Sequence, residues 1–397
     1  MTTTPIQDPT QPDGISRRVR RVPVFDPVLL FAVLGICGAS LLTLHLAGAS
    51  VSGVSANYYV TRQATYFAVG IVLAAALSRI DYSRLRELKY GLYAVTIAGI
   101  LLVSLVGSVA RGSRRAVALP FFSFQASEVG KLLLVLALSA FVVDRIRRLG
   151  DRDTTGRVVL AALVPAALVM AQPDLGSALV YVVVLLAVLF TAGTSWRHFG
   201  GLFALATVAI GLVFVAAPAA NITVLHQYQK DRLTAFLHPS NNPDRQGYQQ
   251  DQSKIAVGAG QKTGRGDDAT QTKLKFLPEA HTDFIFAVVG ERYGFVGATL
   301  VLSLYALLIW RGLRILTLAK NLYGALVAAG IVAMLMFQVF VNVGMTIGIA
   351  PITGIPLPLM SYGGSSVITT LLAIGLLQSI YVQGRAAAAS KGRVLTY

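Results

Sequence analysis

Residues 27–48 read PVLLFAVLGICGASLLTLHLAG, an apolar run that contains no Asp, Glu, Lys or Arg. A transmembrane helix needs about 20 predominantly apolar residues, and the apolar core of a signal peptide is shorter than that. The run therefore predicts a membrane-spanning helix that is not cleaved. Cys37 lies inside it, where we expect a small buried hydrophobe, and the chain has no second cysteine with which it could pair.

Further apolar runs of similar length follow along the rest of the chain. Together they predict an all-α fold, a polytopic integral membrane protein of about ten transmembrane helices. Glu128, Lys131 and Pro165 interrupt the fourth and fifth runs. The runs cover residues 27–48, 59–78, 89–107, 125–143, 157–172, 175–193, 199–219, 283–310, 321–349 and 366–384.

The composition agrees with this fold class. Of the 397 residues, 55% are hydrophobic and 13% are charged. Soluble domains carry about 25% charged residues. Since so few polar groups cannot cover a water-facing surface of this size, the bilayer must be the solvent for most of the chain.

The charge distribution predicts how the chain is oriented in the membrane. The net charge is +16, and the Lys and Arg residues concentrate in both tails and in alternate short loops, which is the positive-inside pattern. No basic block is interleaved with aromatic residues, so we exclude nucleic-acid binding. Both termini are expected in the cytoplasm, on the basis of Arg17, Arg18, Arg20, Arg21, Arg79, Arg84, Arg86, Lys89, Arg145, Arg147, Arg148, Arg152, Arg157, Arg311, Arg314, Lys320, Arg385, Lys391 and Arg393.

This orientation divides the chain into three parts. Residues 1–26 are expected to form a disordered, basic cytoplasmic tail, residues 27–384 the transmembrane domain and residues 385–397 a cytoplasmic C-terminal tail. Residues 220–282 form one extracytoplasmic loop that is far longer than ordinary connections, which favours a functional loop. Residues 108–124 and 350–365 are expected on the same side.

The segment at residues 108–124 carries three arginines, Arg111, Arg114 and Arg115, on the side where positive charge is disfavoured. Guanidinium groups bind pyrophosphate through paired hydrogen bonds. These residues are therefore either a binding site for an anionic ligand or three solvated charges on an exposed loop.

The stretch LPEAHTDFIF at residues 277–286 joins the long loop to the eighth run. Pro278 or Thr282 is suited to begin that helix, which would place Asp283 in its first turn. The positive end of the helix favours an ionised carboxylate, which can accept a proton from a bound hydroxyl. Asp283 is therefore either a general base or a plain helix cap, and pattern alone favours the cap.

Two pairs of ionisable residues lie inside predicted spans, where such groups are costly. Glu291 is followed by Arg292, and a structural ion pair is the favoured interpretation. Glu128 and Lys131 are three residues apart on one helical face. They either hold helices together or line a polar cavity that takes a head group.

The stretch NVGMTIGIAPITGIPLPLMSYGGSS at residues 342–366 predicts a rigid non-helical segment at membrane depth. Irregular backbone is stable there only against protein or a water-filled cavity. Ser361 and Ser365 would supply hydroxyl groups at that wall.

Two further residues have open interpretations. Asp174 is interpreted first as a helix N-cap, and His281 is either a site residue or a solvated loop histidine.

Taken in order, these motifs resemble the shape, elongation, division and sporulation family, the polytopic membrane proteins of the RodA/FtsW type. The resemblance covers about residues 26–384 and is closest to the RodA branch, which serves elongation. Its most specific matches are LPEAHTDFIFAVVGE at 277–291 and the stretch at 342–366. Two positions depart from the family pattern. Ala126 replaces a proline, which is expected to alter only a helix start, and Arg292-Tyr293 replaces an acidic-aliphatic pair.

The resemblance implies a peptidoglycan glycosyltransferase of the bacterial plasma membrane that polymerises lipid II at the outer face. Asp283 matches the essential aspartate of the family, so the resemblance favours the general base over the cap. The implied partners are undecaprenyl-pyrophosphate-linked glycan, a class B penicillin-binding protein and the elongation machinery. A divalent cation, Mg²⁺ or Mn²⁺, is considered as a cofactor, and no organic cofactor is expected. The expected substrate-binding residues are Arg111, Arg114, Arg115, Glu128, Lys131, Glu279, His281, Ser361 and Ser365.

Two rival functions remain open on the sequence. Charged residues within spans, such as Glu128 and Lys131, are also typical of a transporter, which here would be a lipid II flippase. The third class is a non-catalytic scaffold for the penicillin-binding protein.

Overall fold

The fold is a bundle of long apolar helices. The computed structural model describes residues 25–48, 57–110, 113–118, 122–212, 236, 246–274, 276–277 and 279–390. Two stretches of the predicted tails lie outside the described residues. They are residues 1–24 of the N-terminal tail predicted at 1–26 and residues 391–397 of the C-terminal tail predicted at 385–397. The helices are α1 (Pro27–Gly48), α2 (Asn57–Arg79), α3 (Lys89–Val106), α4 (Ala126–Asp144), α5 (Arg152–Ala171), α6 (Leu175–Thr191), α7 (Trp196–Gly211), α8 (Gln246–Ala259), α9 (Thr270–Lys273), α10 (Ile285–Leu318), α11 (Leu322–Ile347) and α12 (Gly364–Ser390).

Each predicted apolar run overlaps one helix of the bundle, and the seventh run, 199–219, is described only as far as residue 212. Among the described residues, eight helices are long and apolar enough to cross a membrane, namely α1 to α5 and α10 to α12. The apolar helix α6 is shorter, and α7 ends beside residues that are not described. Helix α5 continues through Pro165 instead of ending there. The predicted polytopic membrane fold is therefore confirmed.

The all-α prediction needs one addition, because the segment after α3 forms a small antiparallel sheet. Its strands are β1 (Ser108–Ala110), β2 (Ser113–Ala118) and β3 (Ser123–Phe124), in the order β1-β2-β3. Polar and charged residues at 108–115 concealed these short strands in the hydropathy pattern. The sheet leads directly into α4, which begins at Ala126, so the alanine that departs from the family pattern stands at the helix start as expected.

The core of the bundle is formed by α4, α11 and α12, whose apolar spans are mostly buried. Helices α2 and α3 lie at the periphery and leave most of their apolar side chains exposed, as expected for helices that face lipid. Cys37 is buried among the apolar side chains of the core, as expected of a small hydrophobe.

One end of the bundle, which we term the basic end, is held together by carboxylates. Asp26 caps α1 and pairs with Arg311 of α10, and its main chain exchanges two hydrogen bonds with the Gln378 amide of α12. Asp144 pairs with Arg86 and Lys89. The prediction that Arg311 lies in a loop is wrong, because α10 continues to Leu318 and buries this guanidinium against Asp26.

Asp81 and Lys320 form a further ion pair at the basic end, with 2.9 Å between Lys320 Nζ and Asp81 Oδ2. Partial burial raises the pKa of Asp81, but hydrogen bonds from Lys320 and Ser83 outweigh that effect and leave the pKa below its ordinary value. The Asp81 carboxylate also caps the short helical turn Tyr82–Arg86 by accepting from the Ser83 N–H.

The second half of the long predicted loop is ordered around helix α8. This helix packs on α10 and α11 with Gln250, Ser253 and Ala256 buried at helical spacing. Ser253 Oγ donates to the Thr346 carbonyl at 2.8 Å. Residues 220–235 and 237–245 of the predicted loop lie outside the part of the chain that the structure describes.

Candidate functional site

A polar cavity of about 510 Å³ lies at the end of the bundle opposite the basic end. Four chain segments meet there: the start of α2, the approach to α4, the turn before α10 and the non-helical segment before α12. Glu279, His281, Asp283 and Ser365 are predicted site residues that the fold brings together around this space. The lining residues are Arg62, Tyr66, Phe122, Ser123, Gln125, Glu279, His281, Thr282, Asp283, Gly354, Pro356, Tyr362, Gly363, Gly364, Ser365 and Ser366.

The turn that carries Asp283 is held by three consecutive main-chain carbonyl groups. The His281 carbonyl accepts from the Tyr362 N–H at 2.9 Å, and the Thr282 carbonyl accepts from Ser361 Oγ at 2.6 Å. The Asp283 carbonyl accepts from Asn342 Nδ2 at 3.0 Å. The two most specific sequence motifs are therefore bonded to each other, and the second fixes the position of the first.

Helix α10 begins at Ile285, so the prediction that Asp283 lies in the first helical turn is wrong. The physical reason is that Ser361 and Asn342 use the carbonyls of Thr282 and Asp283, which a helix starting there would need for its own first bonds. The first bond of α10 is instead made by the Phe284 carbonyl with the Ala287 N–H. The half-buried Asp283 lies two residues before the helix and faces the cavity.

Ser361 is buried, and within the described residues its hydroxyl has a positioning role rather than a place on the cavity wall. Ser361 Oγ accepts from the Leu357 N–H at 2.8 Å while it donates to Thr282. It thus closes the turn at Leu357–Ser361, in which Leu359 has a positive φ of 62°. Ser365 does line the cavity, and its Oγ donates to the Ser123 carbonyl at 2.7 Å and accepts from the Gln125 N–H at 3.0 Å.

Gln125 connects the cavity to Asp174. Gln125 Nε2 donates to Asp174 Oδ2 at 3.1 Å, and Ser127 Oγ donates to the same oxygen at 3.1 Å. The other oxygen of Asp174 accepts from the Ser177 N–H at the start of α6, which confirms the predicted N-cap. One buried carboxylate therefore ties α6 to the wall of the cavity.

An aromatic cluster forms the wall beside α2. The ring centroids of Tyr59 and His281 are 4.5 Å apart, and those of Tyr59 and Tyr362 are 4.9 Å apart. His281 is therefore packed on aromatic rings rather than solvated on a loop. Burial and a hydrogen bond with Tyr66 raise the pKa of Tyr362 above its ordinary value, although Arg62 opposes the shift.

Arg62 is a cavity residue that the sequence did not reveal. Its guanidinium carbon lies 4.6 Å from the centroid of the Tyr58 ring, and the side chain hydrogen-bonds to Tyr362. It places a cation on the wall that Asp283 also lines. The available signal was one arginine between Thr61 and Gln63 at the start of the second predicted run, which is too weak to identify a site.

Glu128 and Lys131 are predicted binding residues that do not line the described cavity. Lys131 Nζ lies 2.6 Å from Glu128 Oε1, and both side chains are buried in α4. This arrangement agrees with the interpretation that the two residues pair with each other and hold helices together. Arg111 lies outside the described residues. Arg114 and Arg115 belong to β2, where the structure describes the backbone and not their side chains. Substrate binding by these residues stays a prediction.

Two carboxylates at the cavity could contribute to a metal site. Glu279 Oε2 accepts from Thr282 Oγ1 at 3.0 Å, and Asp283 lies on the same wall. No group of three or more His, Cys, Asp and Glu side chains with metal-binding geometry occurs among the described residues. Mg²⁺ is commonly bound through one or two carboxylates together with substrate phosphates and water, and this donor set fits that arrangement.

A bundle of membrane-spanning helices with a polar cavity at one end, lined by a half-buried aspartate and an arginine, defines a multi-pass membrane protein with a candidate site at that end. The chain belongs to the FtsW/RodA/SpoVE family. The family model, described as "Cell cycle protein", matches residues 26–386.

Relatives of known function and solved structures agree with this family. The peptidoglycan glycosyltransferase MrdB of Escherichia coli strain K12 is 36% identical over 357 residues, which cover 90% of this chain and 93% of the relative. The peptidoglycan glycosyltransferase RodA of Treponema pallidum is 32% identical and covers 91% of this chain and 99% of its own. The predicted family and enzyme class, a peptidoglycan glycosyltransferase, are confirmed.

Two solved structures share the fold. One, from work on the "structural coordination of polymerization and crosslinking by a peptidoglycan synthase complex", has a TM-score of 0.74 and 33% identity and covers 91% of this chain and 98% of that one. The rod shape determining protein RodA of Thermus thermophilus has a TM-score of 0.65 and 30% identity and covers 90% of this chain and 96% of its own.

Proposed function

We propose that this chain polymerises lipid II into glycan strands at the outer face of the plasma membrane, for cell elongation, with Asp283 as the general base. The observation that carries the proposal is the position of Asp283. Asp283 lines the polar cavity, while the main chain of its turn is fixed by Tyr362, Ser361 and Asn342. A base held in this way loses little entropy when the acceptor binds.

The acceptor is lipid II, which presents the 4-hydroxyl of its N-acetylglucosamine. Asp283 takes the proton of this hydroxyl as its oxygen attacks the anomeric carbon of the donor N-acetylmuramic acid. A new C–O bond forms, the bond from that carbon to the pyrophosphate oxygen breaks, and the anomeric configuration inverts. General base catalysis of this kind contributes a factor of about 10² to 10⁴ in rate.

The donor is the growing glycan on undecaprenyl pyrophosphate, and its leaving group carries away negative charge. Arg62 supplies a cation at the cavity wall. Arg111, Arg114 and Arg115 belong to the neighbouring segment, which leads through Ser123 and Gln125 into the same cavity. Fixed cations at the position where charge develops stabilise the transition state. Tyr362 and His281, the two members of the aromatic cluster that line the cavity, offer faces against which sugar rings pack.

A divalent cation, Mg²⁺ or Mn²⁺, is part of the proposal. Glu279 and Asp283 would hold it together with the pyrophosphate oxygens of the donor. When bound, the cation would neutralise the negative charge that develops on the leaving pyrophosphate. The proton transfer at Asp283 is a task of the protein itself.

The proposed orientation places the cavity end outside and the basic end in the cytoplasm. It is supported by Arg84, Arg86 and Lys89, which follow α2 at the basic end, and by Arg145 and its neighbours after α4. We further propose a class B penicillin-binding protein as the working partner. Support comes from the first solved structure, which concerns polymerisation and crosslinking in one synthase complex.

The test is polymerisation of labelled lipid II by purified wild type, Asp283→Asn and Asp268→Asn. Asp268 is exposed, so its variant makes the same chemical change away from the cavity and is expected to keep the wild-type rate. Asp283→Asn is expected to lose polymerisation. Glycan formed at the normal rate by Asp283→Asn would remove Asp283 as the base.

A vesicle assay for lipid II translocation separates the rival transporter from the enzyme. Polymer without translocation supports the proposed enzyme. Translocation without polymer, by the same wild-type preparation, would establish the flippase instead. Activation of a bound penicillin-binding protein by a chain that makes no polymer would establish the scaffold.

A further inference from the structure

Glu291 lies near the start of α10 and is fully buried, with its carboxylate bonded to the preceding loop. Its Oε1 accepts from the Gln271 N–H at 2.8 Å. Its Oε2 accepts from the Thr272 N–H at 3.0 Å and from Thr272 Oγ1 at 2.5 Å. These amides form the start of α9, whose own N-cap residue provides no side-chain hydrogen bond. Glu291 therefore caps α9 from another helix.

The prediction that Arg292 neutralises Glu291 is wrong. Arg292 Nη1 lies 3.3 Å from the exposed Asp267. Adjacent residues on a helix point in different directions, so a glutamate and the arginine that follows it do not face each other. The Glu291 carboxylate instead accepts its hydrogen bonds from Gln271 and Thr272 in the loop that precedes α10.

The same loop is also fastened to the backbone of α10, where Gly294 interrupts the helix. Gly294 has φ 60° and ψ −155°, a conformation that favours glycine. The interruption frees two N–H groups, so that the Phe295 N–H donates to the Gln261 carbonyl at 2.9 Å and the Val296 N–H to the Lys262 carbonyl at 3.1 Å. The Arg265 N–H in turn donates to the Glu291 carbonyl at 2.8 Å.

We term residues 260–272 the clasp. At its first residue the backbones are in close contact, because a Cβ atom on Gly260 would lie 1.8 Å from the Gly290 carbonyl oxygen. The clasp is thus attached to α10 along its whole length, from Gly260 through Arg265 to Thr272. Glu291 makes the last of these attachments, the one nearest in sequence to the turn that carries Asp283.

The chain that leaves the clasp leads directly to Asp283. After Thr272 it passes the buried Leu277 and reaches the turn with Glu279 and Asp283. Downstream attachments from Ser361 and Asn342 fix the carbonyls of this turn, and Glu291 fixes the chain that enters it. Asp283 therefore lies between two sets of attachments: Ser361 and Asn342 hold its own turn, and Glu291 of α10 holds the chain that enters it.

From this geometry we infer that Glu291 is a positioning residue for the reaction: by capping α9 it holds the clasp on α10 and thereby fixes Asp283 against the acceptor hydroxyl. The inference rests on the proposed function. Glu291 does not line the described cavity, so it acts on the turnover step through Asp283 and not on substrate binding. A base displaced by about 1 Å can cost a factor of about 10² in rate.

The test compares wild type, Glu291→Gln, Thr272→Val and Asp268→Asn in purified full-length protein. Glu291→Gln keeps the shape but replaces one oxygen by an NH₂ donor, which then faces another donor. Thr272→Val removes only the hydroxyl bond. Asp268→Asn changes an exposed carboxylate within the clasp that is not bonded to Glu291, and it serves as the matched control. Each variant is measured for kcat and KM with labelled lipid II, and for the rate of native-state trypsin cleavage after Lys262 and Arg265.

We expect Glu291→Gln to lower kcat about 10-fold to 100-fold with KM within about twofold of wild type, and to accelerate cleavage within the clasp. Thr272→Val is expected to show both effects to a smaller extent, and Asp268→Asn neither. Faster cleavage of Glu291→Gln at unchanged kcat would overturn the positioning role, and an unchanged cleavage rate would overturn the clasp itself. A wild-type protein that forms no polymer would refute the proposed function. The attachment of the clasp would still be tested in that case, because trypsin cleavage does not depend on enzymatic turnover.

Discussion

Asn342 Nδ2 lies 3.0 Å from the main-chain oxygen of Asp283 and 2.8 Å from that of Ile355. One fully buried amide thus joins the turn that carries the carboxylate to the non-helical segment before α12, whose Gly354 and Pro356 also line the cavity. Because both acceptors are main-chain carbonyls, the position needs a side chain with two N–H donors. Position 342 is therefore expected to be intolerant of any residue that cannot donate twice.

Asn342→Asp tests this relationship with almost no change in volume. The new carboxylate oxygen faces two carbonyl oxygens, and each acceptor left without a donor costs about 1 to 3 kcal/mol. We expect a lower melting temperature and a turnover reduced about 10-fold to 100-fold as the turn moves. Thermal melting in detergent and lipid II polymerisation measure the two effects.

Asn321→Asp is the matched control at the other end of the same helix. Asn321 Oδ1 caps α11 by accepting from the Gly324 N–H at 2.9 Å, and an aspartate retains this acceptor. Its melting temperature and turnover should stay near those of wild type. Equal behaviour of the two variants would contradict the special role of position 342.

Arg62 is expected to bind the pyrophosphate of the substrate, and Arg62→Gln therefore to raise KM for lipid II about 10-fold. A charge-assisted hydrogen bond contributes about 1.5 to 3 kcal/mol, which supports an effect of this size. The control Arg84→Gln removes an exposed guanidinium at the basic end and should leave KM unchanged. An unaltered KM in Arg62→Gln would exclude this residue from pyrophosphate binding.

The buried pair of Glu128 and Lys131 gives a prediction about stability. Lys131→Met leaves the Glu128 carboxylate buried without its partner, which costs about 3 to 5 kcal/mol. The double variant Glu128→Gln/Lys131→Met removes both charges and should recover most of the lost melting temperature. Recovery of stability and polymerisation together would mark the pair as structural, whereas recovery of stability alone would support the predicted contact with a head group.

The pair of Asp81 and Lys320 predicts a dependence of stability on pH. Since the pKa of Asp81 is lowered in the folded protein, the pair stabilises the fold above the pKa of an unfolded aspartate, about 3.9, and this contribution is lost as the pH falls through the lower folded value. The difference in melting temperature between wild type and Asp81→Asn should be constant from pH 7 to 5 and shrink below about pH 4. A difference that grew on acidification would contradict the lowered pKa.

The membrane fold was predictable because hydrophobicity is a local property of each span. Helix α1, for example, coincides with the apolar run from which it was predicted. Helix α8 was missed because Gln250, Ser253 and Ala256 are buried at helical spacing without being strongly apolar. The strand β2 was missed because its arginines follow neither an apolar run nor an alternating pattern.

Four residues of the cavity, Glu279, His281, Asp283 and Ser365, were predicted from their motifs, but the bonds that bring them together were not. Asp283 and Ser361 were identified from their motifs, yet the bond between Ser361 and Thr282 spans 79 residues of sequence. Arg62 comes to the cavity only through the packing of α2 against α12. Glu291 and Arg292 do not pair, because a helix turns the side chains of adjacent residues in different directions.

The most direct measurement of the central claim is the pH dependence of lipid II polymerisation in single-turnover experiments. If Asp283 accepts the proton of the acceptor hydroxyl, the wild-type rate falls at low pH as this carboxylate is protonated, and Asp283→Asn is slower by about 10² to 10⁴ and lacks that acid limb. An Asp283→Asn protein that polymerises at the wild-type rate with the same acid limb would contradict the account.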